Sequence, residues 1–585
     1  MKNFLIKLTL VSLIIPFGYT SSVSQVVNHN NYLESITFFT DRTLYTAGEN
    51  IQFAAYINFE INQLSSDTTN EGEVVQVNHS RKLNSNFSDI VYIELITPNG
   101  EKILGGKFLI SDSYCASCFT LPNDISTGIY YLRAYTKFMR NKSNNSYNYI
   151  ALKIINPSKP VITSYNQSNQ SSIDTNRTKT SSINDNEIEI SIDKSEYSTR
   201  EPVVIHIAEN TSKGNSLKKV NISVIPDYSI YENQHINFTS GKSSNQFFYP
   251  ETNGVSLTGR LKDGKSDSSL ALTKINLSLL SDEREVYTNR TDSTGHFYFQ
   301  LPNLYGVRNV FLSTDNLVDS KSIIQVDNDF CQIPVSIPTP MFKLSDEEKK
   351  IALSLAQNTQ IASNYNKTIS KDSVRKYYNS PFYGEPNSRL ILDNYIQLPT
   401  VEDYINELIP ILKIQSKKGK KSFKIFSYKN DVDLYEPLVL LDMIAIDDVN
   451  KILSIPPQKI SCIEIVNEAY VKGDFTYGGI ISVITKNNDF GGIDLPSSGV
   501  FLDYYFLTDC KNSNLAGSLS SKIPDARNTL YWNPNFSLIA PKGATTKTGE
   551  IAFNTSDNPG RYTILLRGIT SKGEIVTCKK TFTVK

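Results

Sequence analysis

The chain has 585 residues, with 59 basic and 59 acidic side chains, so its formal net charge is zero. A neutral chain lacks the long-range field that attracts nucleic acids or anionic membranes, which argues against a polyanion partner, nucleic acid included. Aromatic residues make up 11% of the chain beside 28 Gly and 24 Pro, a composition typical of a folded, β-rich protein. At about 100–200 residues per domain, the length predicts roughly three to five domains.

The N-terminus has the pattern of a secretory signal. Lys2 and Lys7 precede an apolar run over residues 8–17, and small residues follow as far as Ser24. This run has about half of the roughly 20 apolar residues needed to cross a bilayer, so a cleaved signal over residues 1–24 is favoured over a membrane anchor. We therefore expect an exported protein.

Three stretches of the first half differ in pattern. Short alternating strands separated by Asn, Ser and Gly predict a β-sandwich over residues 30–155 and another over residues 251–335. Between them, residues 156–187 are rich in Ser, Asn and Thr and have almost no large apolar side chains, so they predict a flexible linker.

An internal repeat follows the linker. DRTLYTAGEN, which begins at Asp41, is echoed by DKSEYSTREP, which begins at Asp193. The matching pairs are Asp41 and Asp193, Tyr45 and Tyr197, and Glu49 and Glu201. We interpret each as a turn in which the carboxylate starts the turn and the Tyr packs inward, so residues 188–250 begin a second sandwich. That segment is short for a core of its own, and residues 527–585, which are also all-β, are predicted to complete it.

Residues 340–490 change to a mixed pattern. Ser345 with Glu348, and Thr400 with Asp403, have the spacing of helix N-terminal caps followed by apolar residues at helical intervals. Apolar strands follow, with a short helix predicted over residues 449–453. This segment is predicted to be a small α+β domain.

Several residues of types that catalyse reactions or bind ligands in other proteins are interpreted as structural in this sequence. Cys115 and Cys118 form a CxxC, for which a loop disulfide or two idle thiols are favoured over a redox pair. His296 is a lone imidazole, and Asp447 and Asp448 cap a helix as plausibly as they catalyse. The lysines around Gly419 are expected at a solvated hairpin tip; they are Lys417, Lys418, Lys420 and Lys421. The remaining candidates are interpreted as core or turn positions, namely Tyr45, Tyr197, Trp532 and Tyr477.

No motif of a known catalytic site is present. The sequence contains no G-x-S-x-G, no H-E-x-x-H, no P-loop and no dinucleotide-binding glycine motif. We therefore predict no catalytic residue, no cofactor-binding residue, no metal ligand and no cofactor, and we expect that the protein is not an enzyme.

Three parts of the chain resemble known families. D-R-x-L-Y-x-x-G-E-x-I-x-F-x-A-Y from Asp41, with YYLRAYTKFMRN from Tyr130, resembles the macroglobulin-like domain of exported Bacteroidetes proteins. Residues 254–301 resemble a carboxypeptidase regulatory-like sandwich. LDNYIQLPTVEDYINELIP, PLVLLD, ISCIEIV and YGGIISVITK are similar to the plug domain of TonB-dependent receptors. The resemblance implies a multidomain, mainly β fold, with serial macroglobulin-like or Ig-like β-sandwiches plus a small α+β plug-like domain.

The departures from these families limit what the resemblance implies. Only about 100 residues follow Lys486, too few for the barrel of some 22 strands that follows a receptor plug. The plug's usual Asp-Gly turn is Asp442-Met443 here, which puts a ligand-contacting tip in doubt. None of the six cysteines lies in a Cys-Gly-Glu-Gln thioester, which excludes thioester trapping of proteases.

The function implied is that of a non-catalytic protein of the periplasm or outer membrane. A plug-like domain without a barrel implies docking in trans to an outer-membrane β-barrel or an envelope complex, as an accessory of nutrient uptake or secretion. A peptide or a glycan is an alternative partner. The alternatives are a structural spacer or adhesin of the cell envelope and, less favoured, a periplasmic hydrolase.

Overall fold

The computed structural model describes residues 32–61, 87–159, 162, 188–211, 216–230, 247–280, 284–315, 321–365, 381–417, 419–427, 432–509, 523–540 and 545–585. The predicted signal over residues 1–24 lies outside these ranges, as does most of the predicted linker over residues 156–187. Within them the fold is mainly β, with many separate sheets, as the sequence predicts. No helix in the described ranges is long and apolar enough to cross a membrane.

The described strands are β1 (Tyr32–Thr40), β2 (Leu44–Thr46), β3 (Asn50–Ile61), β4 (Ile90–Ile96), β5 (Lys102–Leu109), β6 (Tyr114–Thr120), β7 (Gly128–Tyr135), β8 (Asn148–Ile155), β9 (Ile188–Ile192), β10 (Glu196–Tyr197), β11 (Pro202–Asn210), β12 (Leu217–Pro226), β13 (Ser256–Asp263), β14 (Lys274–Leu279), β15 (Glu285–Arg290), β16 (His296–Gln300), β17 (Val307–Thr314), β18 (Ser322–Val326), β19 (Ser388–Ile391), β20 (Leu412–Lys417), β21 (Lys420–Ile425), β22 (Leu438–Leu441), β23 (Ile444–Ala445), β24 (Ile460–Val466), β25 (Tyr470–Lys472), β26 (Phe475–Tyr477), β27 (Ile480–Thr485), β28 (Val500–Tyr505), β29 (Tyr531–Phe536), β30 (Thr546–Asn554), β31 (Gly560–Thr570) and β32 (Ile575–Val584). The α-helices are α1 (Asp346–Tyr365), α2 (Val401–Leu408) and α3 (Val449–Leu453).

The first sandwich packs two sheets face to face. One sheet has the order β1-β3-β6 and the other β2-β8-β7-β4-β5. Alternate residues of each strand point inward, so that Phe53, Ile93 and Leu132 lie fully buried in one core. Burial of such apolar surface is the main favourable term in folding, at about 25 cal/mol per Å².

The second sandwich is assembled from two distant segments of the chain. Strand β11 lies between β9 and β30, with Ile205 opposite both Ile192 and Ile551. In the facing sheet β12 lies between β31 and β29, and Ile222 pairs with Leu566. The C-terminal strands therefore share a core with residues 188–226, which is the pairing that the half-domain argument anticipates.

The third sandwich also recruits a distant strand. Its sheets have the orders β16-β13-β18 and β15-β14-β17-β28. Strand β28 comes after the whole α+β segment, and it pairs antiparallel with β17 over Val307 to Leu312. The sequence-based boundary at residue 335 leaves this strand out, because a short alternating strand gives no indication of the sheet that it joins.

The α+β domain is built on the mixed sheet β19-β24-β27-β22-β23. One face of the sheet buries Leu441, Ile463 and Val483 against residues of α2 and α3. Helix α2 begins at the predicted capping box, in which Thr400 and Asp403 bind each other's backbone amides. Helix α3 occupies the predicted residues 449–453.

Helix α1 packs away from the α+β domain. Its capping box is present as predicted, since Glu348 N donates to Ser345 Oγ at 3.1 Å and Ser345 N to the Glu348 carboxylate at 2.8 Å. The helix lies on the first sandwich, where Glu348 binds Lys153 at 2.6 Å. The sequence-based grouping of this helix with the α+β domain over residues 340–490 is corrected accordingly, because an apolar helix face does not specify the surface that it covers.

The repeated turn has the same geometry in both sandwiches. Tyr45 donates from its hydroxyl to Asp41 at 2.6 Å, and Tyr197 donates to Asp193 at 2.5 Å. In both turns the Glu carboxylate accepts a backbone N–H three residues before it, from Thr46 at 2.5 Å in the first copy. Both tyrosines are buried, as predicted.

Four buried charges join the first sandwich to the third. Lys107 and Lys137 of the first sandwich bind the carboxylate of Asp329, which follows β18, at 2.6 Å and 2.9 Å. Glu251, ahead of β13, lies 3.7 Å from the Lys137 ammonium and accepts a hydrogen bond from Tyr92. Burial lowers the pKa of Lys107, and Asp329 opposes this. Removing one charge from such a group leaves its partner buried without a counter-charge, which is destabilising. The cluster therefore fixes how the two sandwiches pack.

The shared core of the second sandwich predicts a distant effect of Leu566→Ala. Truncating this fully buried side chain costs about 2–5 kcal/mol, because a cavity replaces its contacts with β12. Amide hydrogen exchange is expected to accelerate in residues 188–226 as well as in residues 546–584. Lys580→Ala, at an exposed position of the same sheet, is the control. Acceleration confined to the C-terminal strands would contradict a shared core.

The buried charge cluster predicts loss of stability in acid. Burial by itself raises the pKa of Asp329, but Lys107 and Lys137 outweigh it and hold the pKa well below its usual range. The stability contributed by the ionised carboxylate is therefore present above about pH 4, the ordinary pKa, and is lost as the pH falls below it.

We expect Asp329→Asn to destabilise the protein by about 3–5 kcal/mol at pH 7, because two buried ammonium groups then share one carboxylate. We also expect the acid-dependent part of the loss to shrink. Thermal unfolding between pH 3 and pH 8 measures both effects. Asp267→Asn removes an exposed carboxylate of the third sandwich and serves as the control. Equal unfolding temperatures for the two variants would contradict the role of the cluster.

Candidate functional site

A pocket of about 500 Å³ lies between the α+β sheet and the third sandwich. Its floor is formed by β19, β24 and β27, and its wall by Leu280, by Arg284 and by the turn after β22. The lining residues are Leu280, Arg284, Pro381, Tyr383, Arg389, Ile391, Asp442, Met443, Ser461, Cys462, Glu464, Ile484, Asn488 and Phe490.

Strand alternation explains why polar side chains reach this pocket. In β24, Ile463 points into the helix-covered core, so the residues before and after it, Cys462 and Glu464, point the other way. Arg389 of β19 stands directly opposite Glu464 in the antiparallel register. The second face of the sheet is therefore polar at this end, where no helix covers it.

Glu464 is held by two donors. Tyr383 donates from its hydroxyl to the carboxylate at 2.6 Å, and the Arg389 guanidinium donates at 2.6 Å. Burial and the hydrogen bond to Glu464 raise the pKa of Tyr383, so its hydroxyl keeps its proton at neutral pH. Glu464 is 3% exposed, whereas half of the Arg389 side chain faces solvent. The carboxylate thus anchors an arginine at the rim of the pocket.

Asp442 and Met443 form the tight turn between β22 and β23. Their φ angles are 45° and 72°, the left-handed region that an Asp tolerates and a Met adopts at a cost. The Asp442 carboxylate accepts hydrogen bonds from Thr485 N at 2.8 Å, Thr485 Oγ1 at 2.5 Å and Phe490 N at 2.9 Å. The Met443 side chain is buried beside Leu440. This turn braces the pocket, and its Met side chain is not an exposed tip.

Arg284 is a pocket residue whose charge no carboxylate of the described residues neutralises. It lies half-buried just before β15, and among the described residues no acceptor binds its guanidinium. The carboxylate next to it, Glu285, is bound to Lys472 at 3.1 Å and to the Tyr287 hydroxyl at 2.5 Å. Asp282 and Glu283 lie outside the described residues.

Cys462 is a neutral thiol in the pocket. Burial and Glu464 raise its pKa to about 11, while Arg389 and Arg284 act in the opposite direction. Catalytic cysteines have a lowered thiol pKa, because the thiolate is the nucleophile. The pocket therefore offers a guanidinium, a braced rim and apolar walls, which is an arrangement suited to binding. Among the described residues no group of His, Cys, Asp and Glu is placed to hold a metal ion.

The structure corrects the interpretation of the CxxC. Cys118 is disulfide-bonded, whereas Cys115 is a free and buried thiol, so the two are not bonded to each other. Both residues lie in β6, three positions apart. Residues at that spacing in a strand are about 10 Å apart and point to opposite faces, beyond the roughly 7 Å that a disulfide spans between Cα atoms.

The other candidate residues take structural roles. Asp448 caps α3 and Asp447 pairs with Lys274 at 3.4 Å. His296 contacts the hydroxyl of Thr294 through Nδ1 at 2.8 Å. Of the four lysines around Gly419, Lys417 and Lys420 lie opposite each other in the backbone register at the tip of the β20–β21 hairpin. Lys421 forms an ion pair with Glu402, and Lys418 lies outside the described residues.

The aromatic candidates also lie in cores. Tyr477 is buried and donates to Thr288 Oγ1 at 3.2 Å, which ties the α+β domain to the third sandwich. Trp532 of β29 packs at the contact between the first and second sandwiches. The pocket residues Arg284 and Glu464 are not among the residues that the sequence patterns indicate. The available signal was the alternation of Cys462 and Glu464 with isoleucines, which marks a strand with one polar face.

No protein-family model matches this sequence, and a search of curated proteins found no match. Similar solved structures include bacterial α2-macroglobulins. The Salmonella protein reacted with methylamine is 9% identical over 94% of this chain and 23% of its own, with a TM-score of 0.14. The Escherichia coli protein activated by porcine elastase is 8% identical over 94% of this chain and 44% of its own, with a TM-score of 0.21.

The Yersinia pseudotuberculosis adhesin InvE is 7% identical over 51% of this chain and 58% of its own, with a TM-score of 0.10. The chain spans less than half the length of the two macroglobulins above. At these identities and TM-scores the likenesses carry no argument about function. The resemblance to a receptor plug stays a prediction from the sequence.

The brace at Asp442 predicts a graded response to substitution. Asp442→Asn keeps a residue that tolerates a positive φ. It presents either an amide N–H₂ or a weaker acceptor to the Phe490 N–H, so we expect the free energy of unfolding to fall by about 1–3 kcal/mol. Asp442→Ala loses all three hydrogen bonds and adds backbone strain, so it is expected to cost more. Chemical unfolding measures both variants. Equal stability of the two variants and the parent would contradict the bracing role.

Proposed function

We propose that this chain is a non-catalytic binding protein of the cell envelope whose α+β domain receives a partner in the pocket. The partner is an outer-membrane β-barrel protein or an envelope complex, met in trans in the periplasm or at the outer membrane. The observation that carries the proposal is the pocket itself, a concave site at the contact of two domains in which the Arg284 guanidinium has no acceptor among the residues that the structure describes.

The state of the ionisable groups favours binding over catalysis. A general acid or base must be free to exchange its proton with a substrate. Glu464 accepts hydrogen bonds from Arg389 and Tyr383, and Asp442 accepts them from Thr485 and Phe490. The Cys462 thiol has a raised pKa rather than the lowered one of a nucleophile. A periplasmic hydrolase therefore remains the less favoured alternative.

The location rests on the sequence. The signal pattern over residues 1–24 supports export, and the similarity of residues 392–486 to a receptor plug supports an outer-membrane partner. The serial sandwiches support a scaffold that carries the α+β domain. A structural spacer or an adhesin is the competing proposal, and it predicts no partner at the pocket.

Site-specific photo-crosslinking distinguishes these proposals. We expect a photoreactive phenylalanine analogue in place of Ile391, which lines the pocket and is 41% exposed, to capture a discrete envelope protein in native cells. The same analogue in place of Lys350, at an exposed position of α1, is the matched control. Crosslinks from Ile391 but not from Lys350 support docking at the pocket. No crosslink from Ile391, or the same products from both positions, would contradict it.

A further inference from the structure

The charges around the pocket are balanced in number but not in position. Two guanidiniums, Arg284 and Arg389, face two carboxylates, Asp442 and Glu464. The Asp442 oxygens accept hydrogen bonds from Thr485 N, Thr485 Oγ1 and Phe490 N, at and after the end of β27. Glu464 is occupied by Arg389. The group left without an anionic partner among the described residues is Arg284, so an entering anion completes the site.

The Arg389 guanidinium also keeps donors for a ligand. Its Nε and Nη2 both reach the same oxygen of Glu464, each at 2.6 Å, and the side chain is half exposed. Arg389 and Arg284 line the same pocket as Cys462, and both act to lower the pKa of its thiol. A planar guanidinium presents paired N–H donors that match the two oxygens of a carboxylate.

Apolar side chains supply part of the lining, beside the polar side chains of Tyr383, Ser461 and Asn488. Leu280, Ile391, Ile484 and Phe490 border the pocket and are partly exposed. In a ligand site, such apolar side chains hold the body of a ligand while polar groups orient it. A bare inorganic anion would leave these walls in contact with water.

We propose that the pocket binds a carboxylate attached to an apolar body, with the carboxylate between Arg284 and Arg389 and the apolar part against Ile391, Ile484 and Phe490. This inference rests on the proposed function in that it names the ligand chemistry of the same pocket. The chain end or an acidic side chain of a partner protein, and a free organic acid, share this chemistry.

Cys462 is a built-in reporter for the test. Iodoacetate carries a carboxylate, whereas iodoacetamide is its neutral counterpart, and both alkylate a thiolate with loss of iodide. The rates of alkylation of Cys462 by the two reagents are measured by mass spectrometry on the purified mature chain at pH 9. Their ratio reports how strongly the pocket prefers a carboxylate to a neutral amide. Cys578, a second and partly exposed cysteine, is the internal reference.

We expect Arg284→Gln to lower the iodoacetate-to-iodoacetamide ratio at Cys462 by about tenfold, the effect of one charge-assisted contact, and to leave the ratio at Cys578 unchanged. Arg290→Gln removes an exposed guanidinium from the far end of β15 and is the matched control. An unchanged ratio at Cys462 in Arg284→Gln, or an equal fall in Arg290→Gln, would overturn the proposal.

A protection experiment tests whether the pocket requires both the carboxylate and the apolar body. Millimolar N-acetyl-leucine is expected to slow the alkylation of Cys462 by iodoacetamide, whereas N-acetyl-leucinamide and inorganic phosphate at equal ionic strength are not. Equal protection by the amide would show an apolar pocket that does not recognise a carboxylate, and equal protection by phosphate would show a general anion site. No protection by N-acetyl-leucine would show that the pocket binds neither its carboxylate nor its apolar body. Each of these results overturns the proposal. Because these measurements use the purified chain, they succeed or fail independently of the search for an envelope partner.

Discussion

One face of the five-stranded sheet of the α+β domain is covered by the domain's own helices. Among the described residues, the third sandwich covers only half of the second face, and the pocket lies at the other half. A sheet face left in water needs either a covering layer or polar side chains. Val286 of β15 packs with Leu438 and Leu440 in the covered half. In the other half Cys462, Glu464 and Arg389 take the place of apolar residues.

The contact of the sheet with the third sandwich is close enough to hold the pocket wall in position. A Cβ on Gly473 would lie 2.1 Å from the carbonyl oxygen of Thr288, so only glycine fits where the β25–β26 hairpin crosses β15. Lys472 pairs with Glu285 in the same region, one residue from Arg284. Strand β28 then returns to pair with β17. After the α+β domain the chain thus returns directly to the third sandwich.

Helix starts and turns could be predicted from nearby residues in the sequence. Pairing between strands that are distant in the chain could be predicted only in part. The starts of α1, α2 and α3 follow from caps within a few residues of Ser345, Thr400 and Asp448, and the repeated turn closes on itself through a Tyr and an Asp four residues apart. The completion of the second sandwich was inferable because two fragments were each too small for a core.

The pocket could not be inferred in the same way. Arg284 and Arg389 are far apart in the chain, and only the packing of one domain on another brings both to Cys462. The assignment of α1 to the α+β domain failed for the same reason, since an amphipathic helix shows which face is buried but not the surface beneath it. The CxxC was misleading because its two residues lie in a strand, where their side chains diverge.

The claim at the centre of this account is that the pocket between the α+β sheet and the third sandwich is a binding site. The most direct measurement is amide hydrogen exchange of the mature chain alone and with detergent-solubilised native envelope. The account predicts slower exchange concentrated in β19, in β24 and in the residues around Arg284, with the first and second sandwiches unchanged. Unchanged exchange at those strands, or protection confined to the sandwiches, would contradict it.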